Sequence, residues 1–345
     1  MGLEPFGKEQ VAIMNAPLSE SVDRRQFLKQ SMTASLAAPL VFSVEEHRLL
    51  ARSAESTSPP PPPQPAGVLP KGRIGKLAVS RLVCGGNLIS GYAHSRDLIY
   101  VSSLLKHYFT DERILETWAL CERSGINTMV ASPSDPHAVE VYRKYRDQGG
   151  KIQYFAQMDA QLSDLKTCVK EAVDAGAVGA FLVGNLGDQW TRAGAVGAIG
   201  ELIANIKSAG LVAGVAGHEL RTVLAVEKAK VEPDFYVKTL HDENYWSKRQ
   251  PGQDKEVIDN YGIDNYWCRD PLETIRQMSE IDRPWIAYKV LAAGAIHPRA
   301  GFRFAFRNGA DFALVGMFDF QVAENVAVAT QVLSENLERQ RDWMA

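Results

Sequence analysis

The sequence predicts an α/β protein, a (β/α)8 TIM barrel, over residues 70–345. Three observations carry this expectation. A short β-rich run followed by an amphipathic stretch recurs eight times in this region, the rhythm of a parallel barrel. The amphipathic stretches repeatedly stop before a glycine, at Ser124-Gly125, Gln148-Gly149, Ala175-Gly176, Ala209-Gly210 and Asn308-Gly309. Such stops suit C-terminal capping by a residue of positive φ. No G-x-G-x-x-G follows an early strand, which weakens the rival doubly wound sheet.

The predicted strands are Arg81–Gly86, Ile126–Ser132, Ile152–Met158, Ala180–Gly184, Leu211–Ala216, Asp234–Leu240, Trp285–Leu291 and Phe312–Gly316. Each is short, apolar and rich in β-branched or aromatic residues. The helices between them are Asp111–Arg123, Ala138–Gln148, Leu162–Ala175, Val196–Ala209, Leu220–Lys230, Leu272–Ile281, Ala300–Asn308 and Val322–Arg341. Their apolar residues recur at helical spacing.

The N-terminal part reads differently. Asp23-Arg24-Arg25-Gln26-Phe27-Leu28-Lys29 precedes a mild apolar stretch, Met32 to Phe42. This resembles a twin-arginine export signal, with an amphipathic surface helix as the plainer alternative. The resemblance implies a chain that crosses the membrane already folded, is periplasmic or extracellular, and meets the translocation machinery and the membrane only through residues 1–44. Residues 45–69 form a tether, with prolines at every position from Pro59 to Pro63 and again at Pro65. Such segments are extended and bury nothing.

Composition bounds the rest. The 345 residues are 46% hydrophobic and 23% charged, with a net charge of −3. That is globular, and without the basic excess a nucleic-acid surface needs. Cys84, Cys121, Cys168 and Cys268 form no CxxC pair, which argues against a disulfide scaffold or structural zinc.

In a barrel the chemistry sits at the C-terminal ends of the strands. Alternation then sorts the faces. Gln153, Phe155, Gln157 and Asp159 share the inward face of the third strand, and His218 follows Gly214 and Ala216 in the fifth. Tyr236, Lys238 and Leu240 are read as inward in the sixth, and Ala287, Lys289 and Leu291 in the seventh. The expected catalytic group is therefore Lys238, Lys289, Asp159, His218 and His241. A structural Lys–Asp pair is the plainer alternative.

The loop from His241 to Asp270 is the longest, and carries Tyr245-Trp246, Tyr261 and Tyr266-Trp267. Aromatics mixed with Asp and Asn suit a polyhydroxylated ligand. A loop packed by its own aromatics reads equally well. The first loop adds Asn87, Tyr92 and His94, so the expected substrate-binding set is Asn87, Tyr92, His94, Gln157, Asn185, Tyr245 and Trp246.

Gly72-Arg73-Ile74-Gly75-Lys76-Leu77 and Cys84-Gly85-Gly86-Asn87 resemble the opening of the aldo/keto reductases. Gly125-Ile126-Asn127-Thr128-Met129 is similar to that family's second strand, and Gly309 to Met317 with Gln321 to Val326 to its eighth strand and following helix. The resemblance implies a nicotinamide dinucleotide, NAD(P), tightly bound near Gly316, Gln321, Glu324 and Asn325, the last two matching an adenosine-contacting pair. It also implies oxidoreductase chemistry on a sugar-like or other polar carbonyl compound. The family's Asp-Tyr-Lys-His tetrad is missing. Val130 stands for the Asp, no tyrosine lies near Asp135, Gln157 stands for the Lys, and Gly184-Asn185 for the His. Gln321 replaces the arginine that grips a 2′-phosphate.

Three other readings stay open. Lys238 or Lys289 serves as a Schiff-base lysine in a lyase or isomerase. The barrel holds a ligand without catalysis. His218, Glu219, His241 and Asp319 ligate a metal, although they share no ligand-spacing motif.

Overall fold

The structure, a computed structural model, describes residues 68–92, 100–245, 248 and 268–345. The twin-arginine run, the proline tether, His94, Trp246, Tyr261, Tyr266 and Trp267 lie outside the described residues.

A hairpin of β1 (Lys71–Ile74) and β2 (Leu77–Ser80) leads into the barrel. Its turn is made at Gly75, φ 55°. Ile74 and Val79 are fully buried and pack with Val83, Phe155 and Phe235, so the hairpin closes the N-terminal end of the barrel.

The barrel strands are β3 (Leu82–Gly85), β4 (Thr128–Ala131), β5 (Gln153–Met158), β6 (Gly179–Leu182), β7 (Val212–Gly217), β8 (Phe235–Thr239), β9 (Trp285–Tyr288) and β10 (Phe312–Gly316). They form one closed parallel barrel, β10 pairing with both β9 and β3. Around it lie α1 (Tyr100–Tyr108), α2 (Asp111–Arg123), α3 (Pro136–Asp147), α4 (Thr167–Asp174), α5 (Gly184–Arg192), α6 (Val196–Ser208), α7 (Leu220–Lys228), α8 (Pro271–Ser279), α9 (Pro298–Arg307) and α10 (Asp319–Ser334). The expected TIM barrel is the observed fold.

Local chemistry explains the boundaries. Asp135 caps α3 by accepting from the His137 and Ala138 amides, and Pro136 takes the first helical position. Gly125, Gly149, Gly176, Gly210 and Gly309 all have positive φ, as the capping pattern requires. Sequence patterning misses α1 and α5. It also runs the last helix too far, because residues 335–345 leave α10 and turn back toward Asp311.

Two packed layers result. Val83, Val130, Phe155, Phe181, Val212, Phe235, Val237, Ile286, Phe312 and Leu314 fill the interior. Tyr154, Tyr236, Trp285 and Ala287 face the helices with the larger cluster. This corrects two faces. In β8 the inward residues are Phe235 and Val237, which puts Lys238 on the helix side. In β9 they are Ile286 and Tyr288, and the strand ends there because Lys289 turns to φ 60°.

Candidate active site

A tight helix-to-strand contact builds the site. A Cβ at Gly187 of α5 would lie 2.1 Å from the Ala216 carbonyl oxygen, so only glycine lets α5 sit this close to β7. The contact delivers Asp188, 1% exposed, to the end of β7. Its Oδ2 accepts from the His218 amide at 2.9 Å and from His218 Nδ1 at 2.9 Å. Its Oδ1 accepts from the Glu219 amide at 3.1 Å and from Thr222 Oγ1 at 2.7 Å. Burial pushes this carboxyl up, but the bonds from His218 and Thr222 outweigh burial and leave it below the usual range. An ionised Asp188 fixes Nδ1 as a protonated nitrogen of His218, so in the neutral ring the lone pair is on Nε2.

Tyr288 completes the group. Its ring lies 5.2 Å from the His218 ring, centroid to centroid. A Cβ at Gly184 would meet Tyr288 Oη at 2.5 Å and His218 Cε1 at 2.7 Å. The phenol and the imidazole therefore share the space that Gly184 leaves, at the first turn of α5. Lys289 Nζ sits 5.6 Å from the Tyr288 ring centroid. Beyond it the chain is strained, with Ala292 at φ 45° and Ala293 at φ 57°. Such backbone collects at functional rims.

The other expected site residues are placed as follows. Gln157 is half-buried on the inward face of β5, and Asp159 is exposed beyond its end. Lys238 is 1% exposed and donates to the Thr239 carbonyl at 3.0 Å. Asn87 is half-buried, Tyr92 is 45% exposed, and Asn185 follows Gly184 in α5. Tyr245 sets its ring against His241 at 5.6 Å. Among the described residues no His, Cys, Asp and Glu group could hold a metal ion. No helix among them is long and apolar enough to cross a membrane.

His241 has a structural post rather than a place in the mouth. Nδ1 donates to the Asp242 carbonyl at 2.8 Å and Nε2 accepts from the Cys268 amide at 3.0 Å. One imidazole thus ties both ends of the longest loop, with no nitrogen left for proton transfer. Burial, above all, lowers its pKa from 6.5 to about 4. The folded chain therefore refuses a proton that the unfolded chain takes up as pH falls below 6.5. Stability contributed by the neutral ring is complete above that value and is lost toward pH 4, by roughly 3 kcal/mol in full. We expect His241→Asn to flatten this part of the stability–pH profile in urea titrations from pH 7 to 4.5. A profile that keeps its slope would refute the assignment.

The nicotinamide expectation meets a different first turn. Gln321 Oε1 accepts from the Phe318 amide at 3.2 Å. Asp319 accepts from Tyr108 Oη at 2.5 Å and from Arg113 at 2.9 Å. Leu88 packs 3.0 Å from where a Cβ on Gly316 would lie. Glu324 is exposed and Asn325 is 4% exposed. The chain's own groups fill the start of α10, and a carboxylate stands where a pyrophosphate would need donors or a cation. The residues present do not fit the dinucleotide there.

No family model matches the chain, and no curated protein does. Solved structures show the fold. A "putative aldo-keto reductase" from Pseudomonas aeruginosa is 19% identical at TM-score 0.52, covering 77% of this chain and 98% of its own. A second structure under the same description is 20% identical at TM-score 0.52, covering 77% and 97%. A truncated 3-deoxy-D-arabino-heptulosonate 7-phosphate synthase from Thermotoga maritima, 11% identical at TM-score 0.45, covers 80% and 95%. This chain shares the barrel of the first two.

Sequence reading missed Asp188, Tyr288 and Gly184. Asp188 carries no spacing signal toward His218, thirty residues on. Tyr288 was hidden by extending β9 to Leu291, which left the wrong parity facing inward.

Proposed function

We propose that the barrel mouth is an acid–base site acting on a sugar-like or other polar carbonyl compound. The observation that carries this is the Asp188–His218–Tyr288 arrangement gathered over Gly184. Asp188 holds the imidazole and favours its protonated form. Nε2 of His218 removes a proton from the carbon beside the carbonyl, and the Tyr288 hydroxyl gives its proton to the carbonyl oxygen. The electrons of the broken C–H bond form the enol double bond, and reversal returns the protons. Charge developing on the phenolic oxygen meets the amide end of α5. Lys238, on the helix side of the wall, is poorly placed for a Schiff base, so Lys289 is the lysine left for that chemistry.

The test is deuterium uptake from D2O at the carbon next to the carbonyl, followed by NMR over a panel of ketones and hydroxyketones. The full chain accelerates uptake, and His218→Asn lowers it by about 10²- to 10⁴-fold. Uptake equal to the buffer rate, or unchanged in the variant, defeats the reading. Carbonyl reduction is the second reading, favoured by the shared fold alone, and it needs a dinucleotide held elsewhere than at the start of α10. A nicotinamide dinucleotide released from the denatured protein, measured by mass, would put it first.

Export is part of the proposal and rests on Arg24-Arg25. Replacing both with lysine is expected to hold the chain in the cytoplasm. Unchanged export in fractionated cells counts against it.

A further inference from the structure

We propose that Asn185 and Thr239 receive a hydroxyl group beside the reacting carbonyl, so that the substrate is an α-hydroxycarbonyl compound. This rests on the acid–base reading of the mouth. Two buried oxygens carry it. Asn185 Oδ1 and Thr239 Oγ1 have no hydrogen-bond partner among the described residues. Buried polar atoms are rarely left so, and each such exception calls for an explanation.

Their positions supply one. Asn185 follows Gly184, the residue that meets both Tyr288 Oη and the His218 ring. Thr239 is fully buried and has the inward parity of Phe235 and Val237. It stands in register with Tyr288, while Lys238 pairs with Gly217, which makes His218 its neighbour on the other side. The two orphan oxygens thus belong to residues beside the acid–base pair, one next to Gly184 in sequence and one in register between Tyr288 and His218. The Thr239 carbonyl is already used by Lys238 Nζ at 3.0 Å and Cys268 Sγ at 3.5 Å, so only the hydroxyl is left to meet a ligand.

The donor and acceptor pattern selects the group. Asn185 Oδ1 only accepts, and Thr239 Oγ1 both accepts and donates. A carboxylate or phosphate would bring acceptor to acceptor at Asn185 Oδ1. An alkyl group would leave both oxygens unpaired. A hydroxyl can donate to one and accept from the other.

The experiment compares deuterium uptake by hydroxyacetone and by butanone on the full chain, each rate divided by that ketone's imidazole-catalysed rate. Hydroxyacetone is expected to lead by about 10²-fold or more in kcat/KM, since a site built to bind a hydroxyl rejects the analogue lacking it. Asn185→Leu and Thr239→Val each reduce the lead to below about tenfold, while Thr239→Ser keeps it. Thr239→Val also leaves the thermal midpoint unchanged or raised, because it removes an orphan hydroxyl. A threonine held by a structural water would lower that midpoint on substitution, and that outcome overturns the proposal. So does equal handling of the two ketones, or a lead that survives both variants. Uptake by neither ketone overturns the acid–base reading itself, and this inference with it.

Discussion

Replacing Gly184 by alanine is expected to cut catalysed deuterium uptake by at least about 10²-fold while leaving the barrel folded. The added methyl would lie 2.5 Å from Tyr288 Oη and 2.7 Å from His218 Cε1, so something there has to shift. To reach ordinary van der Waals contact the rings have to give by up to about an ångström. Misplacement of that size at a reacting group costs about 10²-fold. The backbone gives no competing reason for glycine, because residue 184 is the first residue of a helix and is not among the positive-φ glycines. Alanine is the better helix former by about 1 kcal/mol, so loss of α5 is not the expected route to inactivity. Uptake kinetics with circular dichroism and a urea midpoint on the same sample separate the two. Full activity in Gly184→Ala would mean that the reacting groups are not the pair over this glycine.

The barrel was legible because its signals are redundant. Strand, helix and glycine stop recur together, and α2 falls on Asp111–Arg123 as the pattern places it. The interior of β5 was legible because Gln153 and Gln157 alternate with Tyr154 and Ala156, so the polar parity marks the barrel axis. In β8 both parities are apolar, Phe235 and Val237 against Tyr236, and Lys238 breaks the tie the wrong way. Its ammonium donates to a carbonyl at the strand end. The helix that brings in Asp188 was invisible because Gly184 and Gly187 depress its helix propensity. Both glycines are there for close approach, which a single sequence does not display. His241 shows the converse. A histidine at a strand end invites a catalytic reading, and only the two backbone partners reveal a loop tie.

Asp311→Ala is expected to destabilise the fold by about 3–5 kcal/mol, the range for removing one partner of a buried ion pair. Asp311 is fully buried at the start of β10, at the end of the barrel opposite the candidate site. Its Oδ2 accepts from the Trp285 amide at 2.9 Å, and its Oδ1 from the Met344 amide at 2.8 Å. Arg341 Nη2 lies 3.4 Å away and Arg339 Nη2 4.0 Å away. Arg81 donates to the Asp311 carbonyl at 3.0 Å. The Trp343 ring sits between Arg81 at 3.9 Å and Arg339 at 3.4 Å. Burial lowers the Arg339 pKa to about 10, and the Asp311 charge works against that. Removing the carboxylate leaves buried guanidiniums facing one another and frees the two amides that tie β9 and the C-terminal segment together. In urea the midpoint should fall without a large change in slope. Asp311→Asn keeps an acceptor for one amide and should lose less. Adding Arg341→Met to Asp311→Ala should recover part of the loss, because it removes a charge the first change stranded. A loss below about 1 kcal/mol in Asp311→Ala, or a double variant no better than the single, would show that the arginines draw their compensation from elsewhere.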